Sequence, residues 1–314
     1  MSILLVGAGP MASDYAQVLQ HLNLPFDVVC RSEESAFRFY QKHKIKCVSG
    51  GLNFEVHSGD KYSSVIIAVD VGSLFGVTEF LLNSGIRNIL VEKPASLYLA
   101  EIEQLLDLSR GKNSKIFVAF NRRFYSSVEK LMELAESDGG IKSLSFDFTE
   151  WADKISLLEK PQEVKDRWVL SNSSHVLDLA FYLIGKPKEI FCFQRGSIDW
   201  HKNAARFNGA GISEFDVPFS YRADWDSAGR WGITAYSKNF KFDLSPLEQL
   251  HLTKRNELTS TMIDLDSHFD QKFKPGLFKQ VEVFLNTENT NKLCSLDEHK
   301  RLFVFYSKIA GYPI

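Results

Sequence analysis

The stretch SILLVGAGPMA, residues 2–12, decides the fold. A short apolar run ends in a turn of the form G-x-G-x-x-A, and a helical pattern with Met11, Tyr15, Val18 and Leu19 apolar follows. Gly7 permits a tight turn and Gly9 lets the main chain come close to a pyrophosphate. Ala12 allows the helix to pack closely on the strand, and the helix N-terminus favours an anion. Pro10 suits a first helical turn, and Met11 completes the set that would line the phosphates. A bare glycine pattern after a strand often makes only a turn. Its position between a strand and a helix makes dinucleotide binding the better reading.

Reading outward, strands and helices alternate. FDVVC is a second strand, EESAFRFYQKHK a helix, KCVS and SSVIIAV strands, and SLFGVTEFLLNSG a helix ending in glycine. RNILVE, SLYLAEIEQLLDLSR and KIFVAF continue as strand, helix and strand. This alternation implies βαβ units and a parallel sheet. The strands are continuously apolar, as expected where helices cover both faces. Beyond residue 122 the texture changes. KSLSFDFTEW, KEIFCFQRGS, DVPFSYRADW, RWGITAYS and FKFDL alternate with period two and predict a predominantly antiparallel sheet with one open face. Two helices, GLFKQVEVFLN and SLDEHKRLFVFYSKIA, close the chain, the second behind a capping box at Ser295 and Glu298. The expected class is α/β: a doubly wound parallel sheet over 1–122, then an α+β domain over 123–314.

Composition narrows the partners. A chain of 314 residues, 44% hydrophobic and 24% charged, is long enough for two globular domains. A net charge of -2 implies no nucleic-acid or membrane partner, and Lys42, His43, Lys44 and Lys46 read as a solvated helix face. Cys30, Cys47, Cys192 and Cys294 lack metal-ligand spacing and are too few for a disulfide framework, which fits a reduced, cytoplasmic setting without a metal. The apolar N-terminus is too short for a signal peptide, and no stretch approaches the roughly 20 apolar residues that span a bilayer.

The second strand should carry the ribose reader about 20 residues after the glycine turn. It ends CRSEES, so Arg31 and Ser32 are the candidates. A cationic fork with a hydroxyl suits a 2′-phosphate and predicts NADP, with NAD the alternative if Glu33 or Glu34 reads the ribose. VEKPAS follows the fifth strand. It places Glu92 and Lys93 at a carboxyl edge, where ligands bind in open α/β sheets, and a partly desolvated lysine there can exchange protons. In SNSSHVLDLAFYLIG, residues 171–185, one histidine opens a helix apolar nearly all round. Ser173 or Ser174 is the expected N-cap, with His175 in the first turn. Asp178 would orient the ring or serve in packing. On this stretch alone, His175 reads as a core histidine.

GAGPMA, VEKPAS, VAFNRRF and His-x-x-Asp occur here in the order found in the glucose–fructose oxidoreductase and inositol dehydrogenase (Gfo/Idh/MocA) family, and the whole chain resembles that family. The resemblance implies a Rossmann domain and a second domain whose open sheet makes homo-oligomers. It implies an NAD(P)-dependent oxidoreductase on sugars, cyclitols or sugar derivatives, including activated or amino sugars of surface-glycan biosynthesis. By the same resemblance Lys93 is the substrate-binding and proton-relay residue, Asn121 lies beside the cofactor, His175 is the active-site histidine, and Asp178 is the aspartate three residues after it. Arg122 and Arg123 support substrate or the domain junction. Many members carry Asp-x-Gly-x-His, where this chain has Ser171 and Ser173. Serine cannot act as a carboxylate base, although Ser171 and Asn172 can bind a substrate hydroxyl. That departure keeps a non-catalytic dinucleotide sensor and an imine reductase as alternatives. Trp151, Tyr221, Arg222, Trp225, Arg230 and Trp231 are expected on the open sheet, at an interface or a ligand site. Arg167 and Trp168, nearer His175 in sequence, are the better substrate candidates.

Overall fold

The computed structural model describes residues 2–53, 61–286 and 289–313. The chain forms two units, Met1–Asn121 with Phe269–Lys300, and Arg122–His268 with Arg301–Ile314.

In the first unit β1 (Ile3–Val6) leads to α1 (Pro10–His21), β2 (Phe26–Val29), α2 (Glu33–His43) and β3 (Cys47–Val48). Then come β4 (Ser64–Ile67), α3 (Leu74–Asn83), β5 (Asn88–Glu92), α4 (Leu99–Gly111) and β6 (Lys115–Ala119). These six strands are parallel and ordered β3-β2-β1-β4-β5-β6, the doubly wound arrangement expected. All four residues of β1 and of β4 are buried, which is why their sequences are apolar without alternation.

The second unit holds α5 (Ser126–Ser137), β7 (Ser143–Asp147), α6 (Ala152–Ser156), α7 (Gln162–Asp166) and α8 (Ser174–Ile184). β8 (Pro187–Arg195), β9 (Arg206–Ser213), β10 (Pro218–Asp224) and β11 (Gly232–Tyr236) follow, then β12 (Phe240–Leu244), β13 (His251–Lys254) and β14 (Thr261–Met262). They form one eight-stranded sheet, ordered β14-β13-β12-β11-β7-β10-β9-β8, antiparallel except for the β7–β10 pair. Period-two sequence becomes two-faced structure. In β10, Phe219, Tyr221 and Ala223 are buried while Ser220 and Arg222 are exposed. Helix α8 packs on β7 and β11, and α5 on β12. The inward face takes some aromatic residues expected outside: Tyr221, Trp225 and Trp231 are buried, whereas Trp151 and Arg222 are exposed.

The chain then returns to the first unit with α9 (His268–Lys272), α10 (Leu277–Leu285) and β15 (Cys294–Ser295). α10 lies against α1, and β15 adds antiparallel to β6. α11 (Leu296–Ala310) begins in the first unit and ends in the second; Ser295 Oγ accepts from Glu298 N–H at 3.1 Å, as the capping box requires. Residues 269–300 thus group by contact with the first unit. Helical periodicity reveals an apolar face but not which sheet or helix covers it.

The core of the second unit contains a fully buried ion pair. Arg123 Nε and Nη2 donate to Asp178 Oδ2 and Oδ1 at 2.8 and 2.6 Å, and the two side chains are 1% and 0% exposed. Tyr306 donates to the same carboxylate at 3.4 Å, and the Tyr182 ring lies 4.8 Å from the guanidinium. Removing one partner of such a pair strands the other charge out of water. Asp178→Ala is expected to cost about 3–5 kcal/mol in urea unfolding. Asp178→Leu combined with Arg123→Met should recover most of that loss; a double variant as unstable as the single one would show that the pair acts through more than charge burial.

Candidate active site

In the first unit the carboxyl ends of β1, β4 and β5 lie along one edge of the sheet. Gly7 has φ +121°, its N–H donates to Val29 O at 2.8 Å, and a Cβ there would lie 2.2 Å from Ala68 O. Only glycine permits this approach of the turn to the end of β4. Gly9 precedes α1 in extended conformation, and a Cβ there would meet no heavy atom within 4 Å. Pro10 starts the helix, no side chain caps it, Gly9 and Pro10 are exposed, and Ala12 is buried against the sheet. An uncapped N-terminus on an open turn leaves N–H groups available to a pyrophosphate, so the turn fits a dinucleotide. Lys274 Nζ reaches Met11 Sδ at 2.8 Å.

Arg31 and Ser32 follow β2 and are exposed. Ser32 caps α2, its Oγ accepting from Ser35 N–H at 3.3 Å. Arg31 stands at the carboxyl edge, where a ribose reader belongs.

The Glu-Lys-Pro segment is a fixed turn. The Lys93–Pro94 peptide is cis, and Ala95 N–H donates to Glu92 O at 3.0 Å. His299, fully buried, donates from Nε2 to Pro94 O at 2.9 Å, since a carbonyl can only accept. Glu92 points into the unit rather than to the edge. Tyr15 OH donates to its Oε1 at 2.7 Å, and burial raises its pKa, opposed by Tyr15, Lys93 and Lys274. Asn121 is buried and donates from Nδ2 to Pro275 O at 2.9 Å. The Gln280 amide oxygen accepts from Asn121 N–H and Phe120 N–H at 3.2 and 3.3 Å. Lys93, half-buried, is thus carried on a turn held from both sides. Tyr15, Gln280 and His299 escape sequence reading because their partners lie far away in the chain.

In the second unit His175 is buried, and its ring centroid lies 6.2 Å from that of Trp231. It does not stand at a free helix start. A π-helical turn, Val169–Ser173, runs straight into α8. Ser174 Oγ donates back to Leu170 O at 2.7 Å, and Ser173 Oγ donates to Glu150 Oε1 at 2.7 Å, so neither serine caps the helix. The N–H groups of the first turn of α8 are continuous with the preceding turn, so no free helix N-terminus acts on His175.

Ser171 is buried and shares its hydroxyl between Val164 O and Trp168 O at 3.2 and 3.4 Å. Asn172 Nδ2 donates to Glu150 Oε1 at 2.9 Å. Trp168 is buried, edge-on to Trp200, and the Arg167 guanidinium sits 5.7 Å from the Tyr312 ring centroid. Arg123 and Asp178 are committed to each other in the core. A buried carboxylate that sequence reading missed lies next to this turn. Glu150, just beyond β7 and 1% exposed, also accepts from Arg230 Nη1 at 3.0 Å. Burial raises its pKa, opposed by Ser173, Asn172 and Arg230. No spacing marks it, since a single acid after a strand has no distinctive pattern.

Among the described residues no group of three or more His, Cys, Asp or Glu could hold a metal, and no helix is long and apolar enough to cross a membrane.

Residues 1–120 match the family described as "Oxidoreductase family, NAD-binding Rossmann fold", the Gfo/Idh/MocA model. No curated protein matches the chain in sequence. Among solved structures, UDP-N-acetylglucosamine 3-dehydrogenase GnnA from Acidithiobacillus ferrooxidans is 15% identical, with TM-score 0.76 over 98% of this chain and 96% of that one. The dehydrogenase MviM from Clostridium difficile is 18% identical, with TM-score 0.80 over 99% of each. Levoglucosan dehydrogenase in complex with NADH is 15% identical, with TM-score 0.80 over 99% of this chain and 96% of that one. At these identities the likeness is one of fold.

Gly7→Ala places a methyl group on Ala68 O and forces alanine into a left-handed conformation, which should cost about 1–3 kcal/mol. Denaturant unfolding is expected to show that loss, and an NADH fluorescence titration weaker binding. Unchanged stability and affinity together would contradict the close approach.

Proposed function

We propose that the chain, whose first 120 residues match the Gfo/Idh/MocA oxidoreductase model, is an NADP-dependent oxidoreductase of a carbohydrate, sugar derivative or polyol. The observation that carries this reading is the pairing, on one edge of one parallel sheet, of the open Gly7 turn with the fixed turn that presents Lys93. When bound, the nicotinamide supplies or accepts the hydride at the carbinol carbon. The chain's own residues do the rest. Backbone N–H groups of the first turn of α1 hold the pyrophosphate. Arg31 takes the 2′-phosphate, with the Ser32 hydroxyl beside it. Lys93 Nζ binds the reacting oxygen, taking its proton in oxidation and returning it in reduction. His175 assists that transfer, and Asn121 holds the wall of the cofactor site through its fixed side chain.

The names of neighbours in fold, a UDP-N-acetylglucosamine 3-dehydrogenase and a levoglucosan dehydrogenase, support a sugar substrate, including an activated amino sugar of surface-glycan biosynthesis. Homo-oligomers through the outward face of the second sheet fit its exposed Phe191 and Phe193, 68% and 60% accessible on the edge strand β8. A second reading, a dinucleotide sensor without turnover, draws on Ser171, whose hydroxyl is occupied by main-chain carbonyls.

Turnover of NADPH against a panel of keto-sugars is expected in the wild type and should fall by about 10²-fold or more in Lys93→Ala, with a smaller loss in His175→Ala. Tight NADPH binding with no oxidation by any sugar would favour the sensor. Separately, NADPH should bind tighter than NADH, and Arg31→Ala should remove the difference, about tenfold for one charge-assisted contact. Equal affinities in the wild type would remove Arg31 from the cofactor site.

A further inference from the structure

In the second unit two arginines lie against one buried indole. The ring of Trp231, 5% exposed, has the Arg230 guanidinium 4.3 Å and the Arg122 guanidinium 4.8 Å from a centroid. Their charges are answered differently. Arg230 donates to Glu150 Oε2 at 3.0 Å, and that carboxylate is further engaged by Asn172 and Ser173. Arg122 makes no ion pair among the described residues, and its Nε is buried there without a hydrogen-bond partner. Burial pulls its pKa below the ordinary arginine value, and Arg230 adds to this, while Tyr125, Glu248 and Glu150 oppose it. Arginine nevertheless stays protonated. A half-buried cation without a counter-ion is costly, and the cost disappears when an anion binds. The neighbouring Arg123 offers no such site, because Asp178 fills its fork. The Trp231 ring and the Tyr125 ring, 5.9 Å from the guanidinium, brace Arg122 from the apolar side. The same indole contacts the ring of His175.

We infer that Arg122, braced on Trp231, binds an oxyanion of the substrate, a carboxylate or a phosphate, so that the protein selects acidic or phosphorylated sugars over neutral ones. This rests on the sugar-substrate reading above for its ligand class, but not on turnover. A guanidinium fork matches either oxyanion with two hydrogen bonds, which a neutral hydroxyl cannot reproduce. Arg230 is already answered by Glu150, so the open charge at this indole is that of Arg122.

The test is a binding titration of the full chain without cofactor, by tryptophan fluorescence and thermal melting, at ionic strength fixed with chloride. The probes are glucose, glucuronate, glucose 6-phosphate and inorganic phosphate. Glucuronate or glucose 6-phosphate should bind at least about tenfold tighter than glucose, the increment of one charged hydrogen-bonded contact, and the tighter of the two identifies the oxyanion. Arg122→Gln should lose that preference, and Arg122→Lys, which keeps the charge but not the fork, should retain part of it. Should Arg122→Gln fail to fold, the Lys variant and the weakening of wild-type binding by added salt carry the same information. Equal affinities for the three sugars, a preference that survives in Arg122→Gln, or binding of inorganic phosphate without any preference among the sugars would each overturn the inference. Because no step requires hydride transfer, a failed NADPH assay would leave this result readable.

Discussion

The first unit depends on one close approach. At the end of β1 the chain must turn within van der Waals reach of the Ala68 carbonyl just beyond β4, and a side chain at position 7 would overlap that oxygen. β1 and β4 are the neighbours between which the sheet reverses its winding order, so the helices after them leave on opposite sides and open a crevice at the carboxyl edge. Glycine at 7 lets the turn sit deep in that opening, and the uncapped α1 then aims its N-terminus across it. Burial of the whole of β1 and β4 fixes the strands that set this geometry. The crevice is therefore a consequence of strand order and one missing methyl group, and the Lys93 turn falls on the same edge because β5 is the next strand out.

The second unit is governed by how it settles charge in its core. Arg122 and Arg123 are adjacent in sequence yet opposite in circumstance. One is neutralised by a bidentate carboxylate at full burial; the other is held over aromatic rings with its charge open. A short 3-10 turn, Asn121–Phe124, is what separates them, since successive residues on so tight a turn project in different directions. The inward one can be buried only because Asp178 on α8 meets it. The half-buried one has no such partner among the described residues, which is a poor arrangement for stability alone and a reasonable one for holding an anion.

Much of this was legible in the sequence, for identifiable reasons. The parallel sheet announces itself through unbroken apolar strands, the antiparallel one through alternation, and the tight glycine turn through residues that are consecutive. Gly7, Gly9, Ala12 and Lys93 were readable because local backbone chemistry selects them. Long-range partnerships were not. That residues 269–300 rejoin the first unit, that Tyr15 serves Glu92, and that His299 holds Pro94 all depend on contacts between segments with no shared pattern. The aromatic residues of the second sheet show the opposite failure. Tyr221 and Trp231 were expected on the open face as interface or ligand-site aromatics, but a large ring gains more from burial than one lost hydrogen bond costs.

The change at position 171 follows from its surroundings. Its side chain faces the carbonyls of Val164 and Trp168, two acceptors at a buried position. A serine hydroxyl has a proton to offer them. An ionised aspartate has none, and would set its charge against two carbonyl dipoles out of water. The π-helical turn that brings these carbonyls together also turns Asn172 and Ser173 toward Glu150, and both supply donors to it. The buried carboxylate of Glu150 thus lies beyond the end of a strand, and the turn before α8 supplies the donors that receive it. Glu150 is bound on one side by these donors and on the other by Arg230, which stacks on Trp231, the ring that also meets His175 and Arg122. Serine at residue 171 is therefore local chemistry answering a local carbonyl pair, and Trp231 is the ring on which His175, Arg122 and the Glu150-bound Arg230 meet.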